Sequence, residues 1–84
     1  MELKDTVEKM NSSDYKERFQ AEYDQVVIRF CKLDNMLFRW ARGKLDFEPS
    51  CPIEVLQAQR DAMSAYRRIL ECRAKIENIE LMEG

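Results

Sequence analysis

Apolar residues recur at helical spacing through the first half of the chain, between Phe19 and Trp40. The intervals alternate between four and three residues without a break, which keeps these side chains on one face of an α-helix. The pattern predicts a long helix, helix one, over about residues 14–42. The apolar stripe consists of Phe19, Tyr23, Val26, Phe30, Leu33, Leu37 and Trp40.

Capping and turn residues set the limits of helix one. Asp14 is suited to the N-cap, and Glu17 stands three residues later, where it reaches back in a capping box. Gly43 is a natural C′ residue. Apart from the final residue, every Gly and Pro lies between Gly43 and Pro52. We therefore expect the chain to reverse in a loop of about residues 43–51.

A second long helix, helix two, is predicted over about residues 52–81. Pro52 suits the first helical turn, with Cys51 as a weak N-cap and Glu54 near the positive end of the helix dipole. Two apolar stripes run along this helix. The alanine-rich stripe is Val55, Ala58, Ala62, Ala65, Ile69, Cys72, Ile76 and Ile79, and the bulky stripe is Leu56, Met63, Tyr66 and Leu70.

The stripes predict an all-α protein, a long two-helix hairpin that pairs with a second copy. A single hairpin leaves much of both apolar faces in water, whereas two hairpins enclose a four-helix core. The alanines let a neighbouring helix approach closely. Residues 1–13 form a polar lead, either frayed or a short helix. The expected oligomer interface contains Phe19, Tyr23, Val26, Phe30, Leu33, Leu37, Val55, Ala58, Ala62, Ala65, Ile69 and Cys72.

Chain length and cysteine content also favour a homodimer or higher oligomer. A chain of 84 residues forms one domain with a small core, which disulfides, a metal or association must supplement. The three cysteines form no CxxC pair and there is no His, so we expect no disulfide framework, metal site or cofactor. Cys31 and Cys72 are expected in the core, and Cys51 at a helix start, where the dipole favours its thiolate.

Charge and hydropathy restrict the compartment and the partners. The polar start is unlike a signal peptide, and no apolar run approaches the roughly 20 residues that span a bilayer. We expect a cytosolic protein that does not contact membranes. Fourteen Lys and Arg against sixteen Asp and Glu give a net charge of −2, which argues against binding to duplex nucleic acid.

The stretch from Asp14 to Leu81 resembles a family of small phage proteins known from a crAss-like phage gene product. The most specific parts are the Cys51-Pro52-Ile53 helix start and the run of Gln59, Ala62-Met63 and Tyr66. The resemblance implies a phage accessory protein of paired helices in the host cytoplasm. Small phage proteins of this sort often act against host defence, by gripping a defence protein or by taking up a nucleotide immune signal.

One candidate ligand site lies where helix one meets the loop. It contains Arg39, Trp40, Arg42, Lys44 and Phe47. Arginine forks onto phosphate oxygens while an aromatic ring stacks on a base, so the cluster favours nucleotide binding. In the alternative interpretation, Trp40 closes the core stripe and the cations complement the helix dipole.

A second candidate set lies on helix two and contains Gln59, Arg60, Tyr66, Arg67 and Arg68. Gln59 interrupts the bulky stripe, and a buried glutamine needs hydrogen-bond partners. It either fixes the register of a dimer with its symmetry mate or lines a polar pocket with Tyr66. Farther along, Glu71, Glu77 and Glu80 stand among Arg73 and Lys75 and indicate a solvated, ion-paired face.

Catalysis is not expected, because the chain has no His, no evident nucleophile and base pair, and no Gly-rich phosphate loop. The leading hypothesis is a non-enzymatic phage protein that binds and blocks or sequesters a host defence component, either a nucleotide immune signal or a defence protein. The alternative is an oligomeric scaffold of the phage cycle without a small-molecule ligand.

Overall fold

The computed structural model describes residues 1–82, and within them every regular element is helical. A 3₁₀ turn, Leu3–Thr6, leads into the short helix α1, Val7–Met10. The long helices α2, Tyr15–Ala41, and α3, Ile53–Ile76, follow as an antiparallel hairpin. The predicted all-α fold with two long helices is confirmed.

The start of α2 is capped by Asp14, as predicted, but the capping box is absent. The Asp14 carboxylate accepts a hydrogen bond from the backbone N–H of Lys16 at 3.0 Å. Glu17 does not reach the Asp14 backbone. The Ser12 hydroxyl lies between them, accepting from the Asp14 N–H at 3.0 Å and donating to Glu17 at 2.7 Å. The predicted bond from Glu17 is wrong because this hydroxyl occupies its place.

The end of α2 follows the prediction at Gly43. Its φ of 68° lies in the left-handed region, which glycine adopts without steric cost. The Gly43 N–H donates to the Trp40 carbonyl and the Lys44 N–H to the Arg39 carbonyl, both at 2.9 Å. These two bonds form a Schellman motif, which satisfies the last carbonyls and turns the chain back.

The limits of α3 differ from the predicted residues 52–81. Its N-cap is Pro52 and not Cys51, which lies one residue before the cap. Its C-terminus comes at Ile76, because Asn78 adopts a φ of 55° and the Ile79 N–H closes back on the Ala74 carbonyl at 2.8 Å. Periodicity alone could not show this stop, since Ile79 continues the apolar spacing while lying outside the helix.

The segment after α3 folds back against α2. The Gln20 side chain accepts a hydrogen bond from the Met82 backbone N–H at 2.9 Å and donates to the Met82 carbonyl at 2.8 Å. It also donates to Asp24 at 2.9 Å, and both side chains are buried. Ile79 thereby enters the core.

The N-terminal lead is an ordered short helix packed on α2. Thr6 is buried, and its hydroxyl donates to the Leu3 carbonyl at 2.7 Å and accepts from the Gln25 amide at 2.9 Å. This pairing of buried polar groups holds α1 against the hairpin.

The core of the hairpin lies at the end where α2 begins and α3 finishes. Leu70 has no exposed surface and Phe19 is 2% exposed. The apolar stripe of helix one faces α3 within the same chain, and its buried members belong to the intramolecular core. The expected oligomer interface stays a prediction. The buried cluster contains Phe19, Tyr23, Val26, Leu70, Ala74 and Ile79.

The face that α3 turns toward α2 is largely the bulky stripe, whereas the alanine-rich stripe is open. Leu70 is buried and Leu56 and Met63 are half-buried. By contrast, Val55 is 54% exposed and Ile69 58% exposed. The expectation that Cys31 and Cys72 lie in the core is wrong for the single chain, where both thiols are exposed.

Candidate functional site

Two members of the cluster predicted at the end of helix one, Trp40 and Phe47, are brought together around the Gly43 turn. Trp40 is 43% exposed and Phe47 55% exposed, and both line one shallow concavity. The Schellman turn returns the chain past the end of α2, which places Phe47 on the same concavity as Trp40 although the two stand seven positions apart in the sequence. The interpretation of Trp40 as a residue closing the core stripe does not fit this exposure.

The three cations of the cluster flank the Gly43 turn in sequence and are not among the residues that line the concavity. Arg39, Arg42 and Lys44 are exposed, and the bond from the Lys44 N–H to the Arg39 carbonyl holds their backbones together. Within residues 1–82, none of the three forms an ion pair with a carboxylate. The Arg42 guanidinium lies 5.3 Å from the centre of the exposed Phe38 ring, a cation–π distance.

The walls of the concavity are mixed in character. Leu45 and Pro49 contribute apolar surface, and Asp46 and Glu48 contribute carboxylates. The two acidic side chains keep the loop side negative, while the positive charge belongs to the end of α2. A ligand stacked on the Trp40 ring would therefore have to extend beyond the concavity for an anionic group to meet the α2 cations.

The second predicted set does not converge on one pocket. Arg60 pairs with Asp34 at 3.8 Å and with Asp61 at 3.2 Å, while Arg67 pairs with Glu71 at 3.4 Å. The pair with Asp34 ties α3 to α2, and the other two pairs lie within α3. These contacts are therefore structural. The Arg68 guanidinium instead binds Ser64 on its own helix.

Gln59 is exposed in the single chain, and its burial against a symmetry mate across a dimer interface stays a prediction. It borders a shallow groove with Leu33, Met36 and Met63. The buried glutamine of the chain's described part is Gln20, which the apolar pattern did not single out because its position lies one residue past the Phe19 stripe position.

Tyrosine and glutamate pairs bridge the two long helices, and sequence reasoning missed them. The Tyr15 hydroxyl donates to Glu77 at 2.6 Å and the Tyr23 hydroxyl to Glu71 at 2.7 Å. The Tyr66 hydroxyl donates to Glu22. The predicted ion-paired face is present at Glu77, which Arg73 contacts at 3.2 Å.

These pairs shift the pKa values of their members. The hydrogen bonds to Glu77 and Glu22 raise the pKa of Tyr15 and Tyr66, and burial together with Glu71 raises the pKa of Tyr23. The bond from Tyr15 lowers the pKa of Glu77. Each shift has the sign expected when a neutral phenol donates to a charged carboxylate.

The raised phenol pKa values predict sensitivity to alkaline pH. A group whose pKa is raised by folding stabilises the protein below its ordinary pKa, here 10.0, and this contribution is lost as the pH rises through the folded value. We expect the melting temperature to fall above about pH 10, and less steeply for Tyr23→Phe than for wild type. Phenolate absorbance checks the titration. Phenols that all ionise at their ordinary pKa would contradict the prediction.

Within residues 1–82, no group of His, Cys, Asp and Glu is arranged to hold a metal ion. None of the helices in this range is long and apolar enough to cross a membrane.

A family model described as Sequestin matches residues 13–76. The chain belongs to the Sequestin family. The matched range contains all of α2 and α3 and stops where α3 stops, so the Sequestin pattern coincides with the hairpin. The predicted membership of a family is thereby confirmed, while the crAss-like phage origin stays a prediction. No curated protein and no solved structure matches the chain significantly.

Proposed function

We propose that the protein is a non-enzymatic phage protein that sequesters a nucleotide immune signal in the host cytoplasm. The observation that carries this proposal is the cluster at the end of α2, where three exposed cations that form no ion pair in residues 1–82 stand on the same turn as the concavity lined by the exposed rings of Trp40 and Phe47. Guanidinium groups bind phosphate oxygens in a bidentate manner, and aromatic rings stack on bases. The family name, Sequestin, supports sequestration as the mode of action.

The proposed mode of action is stoichiometric binding. The chain contains no His that could act as the general base for a cysteine nucleophile. A protein of this kind counters a defence by lowering the free concentration of a signal and needs no turnover.

We further propose that the working form is a homo-oligomer in which hairpins associate into a four-helix assembly. Support comes from the alanine-rich stripe, whose large members Val55 and Ile69 are each more than half exposed in the single chain. Covering such a stripe removes apolar surface from water, which stabilises a small domain with a limited core.

Removing two cations of the cluster should strongly weaken ligand binding without unfolding the hairpin. We expect Arg39→Ala with Arg42→Ala to weaken binding of a nucleotide on the order of a hundredfold, because each charge-assisted hydrogen bond contributes about 1.5–3 kcal/mol. Titration calorimetry against cyclic dinucleotides and mononucleotides measures the loss, and circular dichroism checks the fold.

A matched control is Lys16→Ala with Arg29→Ala. It removes the same charge from exposed positions of the same helix, away from the cluster. Equal weakening of nucleotide binding by both double variants would mean that the effect comes from net charge, and would contradict a binding site at this cluster.

Native mass spectrometry after incubation with lysate from cells with triggered nucleotide signalling finds the ligand. An oligomer that gains no small-molecule mass would favour a defence protein as the target, or a scaffold role.

A further inference from the structure

The alanine-rich stripe of α3 has the spacing of a coiled-coil seam. Its members recur every three and four residues, and those within α3, from Val55 to Ile76, are exposed and face away from α2, which contacts the bulky stripe instead. Its middle consists of Ala58, Ala62 and Ala65, and the larger Val55 and Ile69 stand on either side. The six positions used below are Val55, Ala58, Ala62, Ala65, Ile69 and Cys72, and all are exposed in the single chain.

Charged residues flank this seam in a polarised order. Four stripe residues are spaced seven positions apart, namely Val55, Ala62, Ile69 and Ile76. The residues immediately before them form the charged flank, which is Glu54, Asp61, Arg68 and Lys75. The first half of this flank is therefore acidic and the second half basic. In the described part of the chain, Glu54 and Lys75 form no ion pair and Arg68 contacts no carboxylate. Asp61 contacts the adjacent Arg60.

We propose that two copies of the chain pair through this seam with their α3 helices antiparallel, in the register that sets Glu54 against Lys75 of the second copy and Asp61 against Arg68. The inference rests on the proposed self-association and adds its surface, direction and register. An antiparallel arrangement brings the acidic half of each flank against the basic half of the other, and complementary flanking charges specify orientation.

The same register produces complementary packing inside the seam. Ala58 lies opposite Ile69 of the second copy, and Val55 lies opposite Cys72. Ala62 and Ala65 face each other at the two-fold axis, where small side chains allow the helices their closest approach. Because the contact is isologous, each pair occurs twice and the assembly closes as a dimer. The two α3 helices form its centre and the α2 helices its outer sides.

A parallel arrangement lacks both forms of complementarity. It stacks Ile69 on Ile69 and Ala62 on Ala62, which leaves the seam crowded at the isoleucine layer and loose at the alanine layers. It also brings Arg68 near Arg73 of the second copy, a pair of like charges. The charge order and the packing therefore favour the same direction.

Disulfide formation across the seam tests the proposal. In a background with Cys31→Ser and Cys51→Ser, Val55→Cys is added and the native Cys72 kept. The two positions are about 25 Å apart along one helix, so a bond within one chain is excluded. We expect oxidation to give a covalent dimer, and no dimer from the two controls, the background with Cys72 alone and Val55→Cys combined with Cys72→Ser.

Other results overturn the proposal in distinguishable ways. A covalent dimer from Cys72 alone would establish a parallel seam. A ladder of larger species would establish an open, head-to-tail contact. An oligomer by light scattering with no covalent dimer would refute this seam and register while leaving self-association intact. A monomer by light scattering would refute self-association itself. Nucleotide binding by the cluster at the end of α2 is measured separately and is not decided by any of these results.

Discussion

Replacing Ala62 by glutamate is expected to convert the oligomer into a folded monomer. Ala62 is exposed in the single chain, so the hairpin accommodates the carboxylate in water. In the proposed dimer the same position faces Ala65 of the second copy, and an unpaired carboxylate there costs several kcal/mol to desolvate. Two copies per dimer should raise the dissociation constant on the order of a thousandfold or more. Ala65→Glu should act alike.

Light scattering combined with circular dichroism measures mass and helix content together. Gln57→Glu is the matched control, because it adds the same charge to α3 outside the alanine-rich stripe. It should leave the mass unchanged. If the mass of Ala62→Glu equals that of wild type, the alanine-rich stripe is not part of the interface. If the helix content falls together with the particle mass, the hairpin depends on its partner for stability.

Truncating Leu70 to alanine is expected to produce the largest loss of stability from a single substitution. Leu70 has no exposed surface and packs in the cluster with Phe19 and Tyr23. Removing a fully buried leucine side chain costs about 2–5 kcal/mol, since apolar contact is lost and a cavity remains. At about 4–8 °C per kcal/mol for a small domain, the melting temperature should fall by roughly 10–30 °C.

The neighbouring Ile69 provides the control. It precedes Leu70 on the same helix but is 58% exposed, so Ile69→Ala should cost the single hairpin little. Both substitutions are best compared in the Ala62→Glu background, where contributions from self-association are absent. Similar melting temperatures for the two variants would mean that the Leu70 side chain is not in the core.

The candidate site was partly predictable from the sequence. The cations and rings near Gly43 are local, and the glycine predicts the turn that gathers them. The set on helix two was not predictable in the same way. Arg60 and Arg67 are engaged by Asp34 and Glu71, and such partners become known only when the neighbouring faces are known.

Local signals in the sequence determined the helices and several of their ends. The unbroken spacing from Phe19 to Trp40 gave α2, and Asp14 and Gly43 gave its limits, because capping and left-handed turns depend on adjacent residues. Long-range contacts could not be predicted from such local signals. The Gln20 side chain forms hydrogen bonds with the Met82 backbone, 62 positions away in the sequence, and no residue near either of them predicts this pairing.

The sequence by itself determined that this is a helical hairpin with more apolar surface than one hairpin covers. Only the tertiary structure decided which surface is left over. Two stripes on α3 are equally helical in spacing, and periodicity does not rank them. The bulky stripe packs on α2 because Leu70 fills the space beside Phe19, which the small side chains of Ala62 and Ala65 could not fill. The alanine-rich stripe is thereby left facing outward.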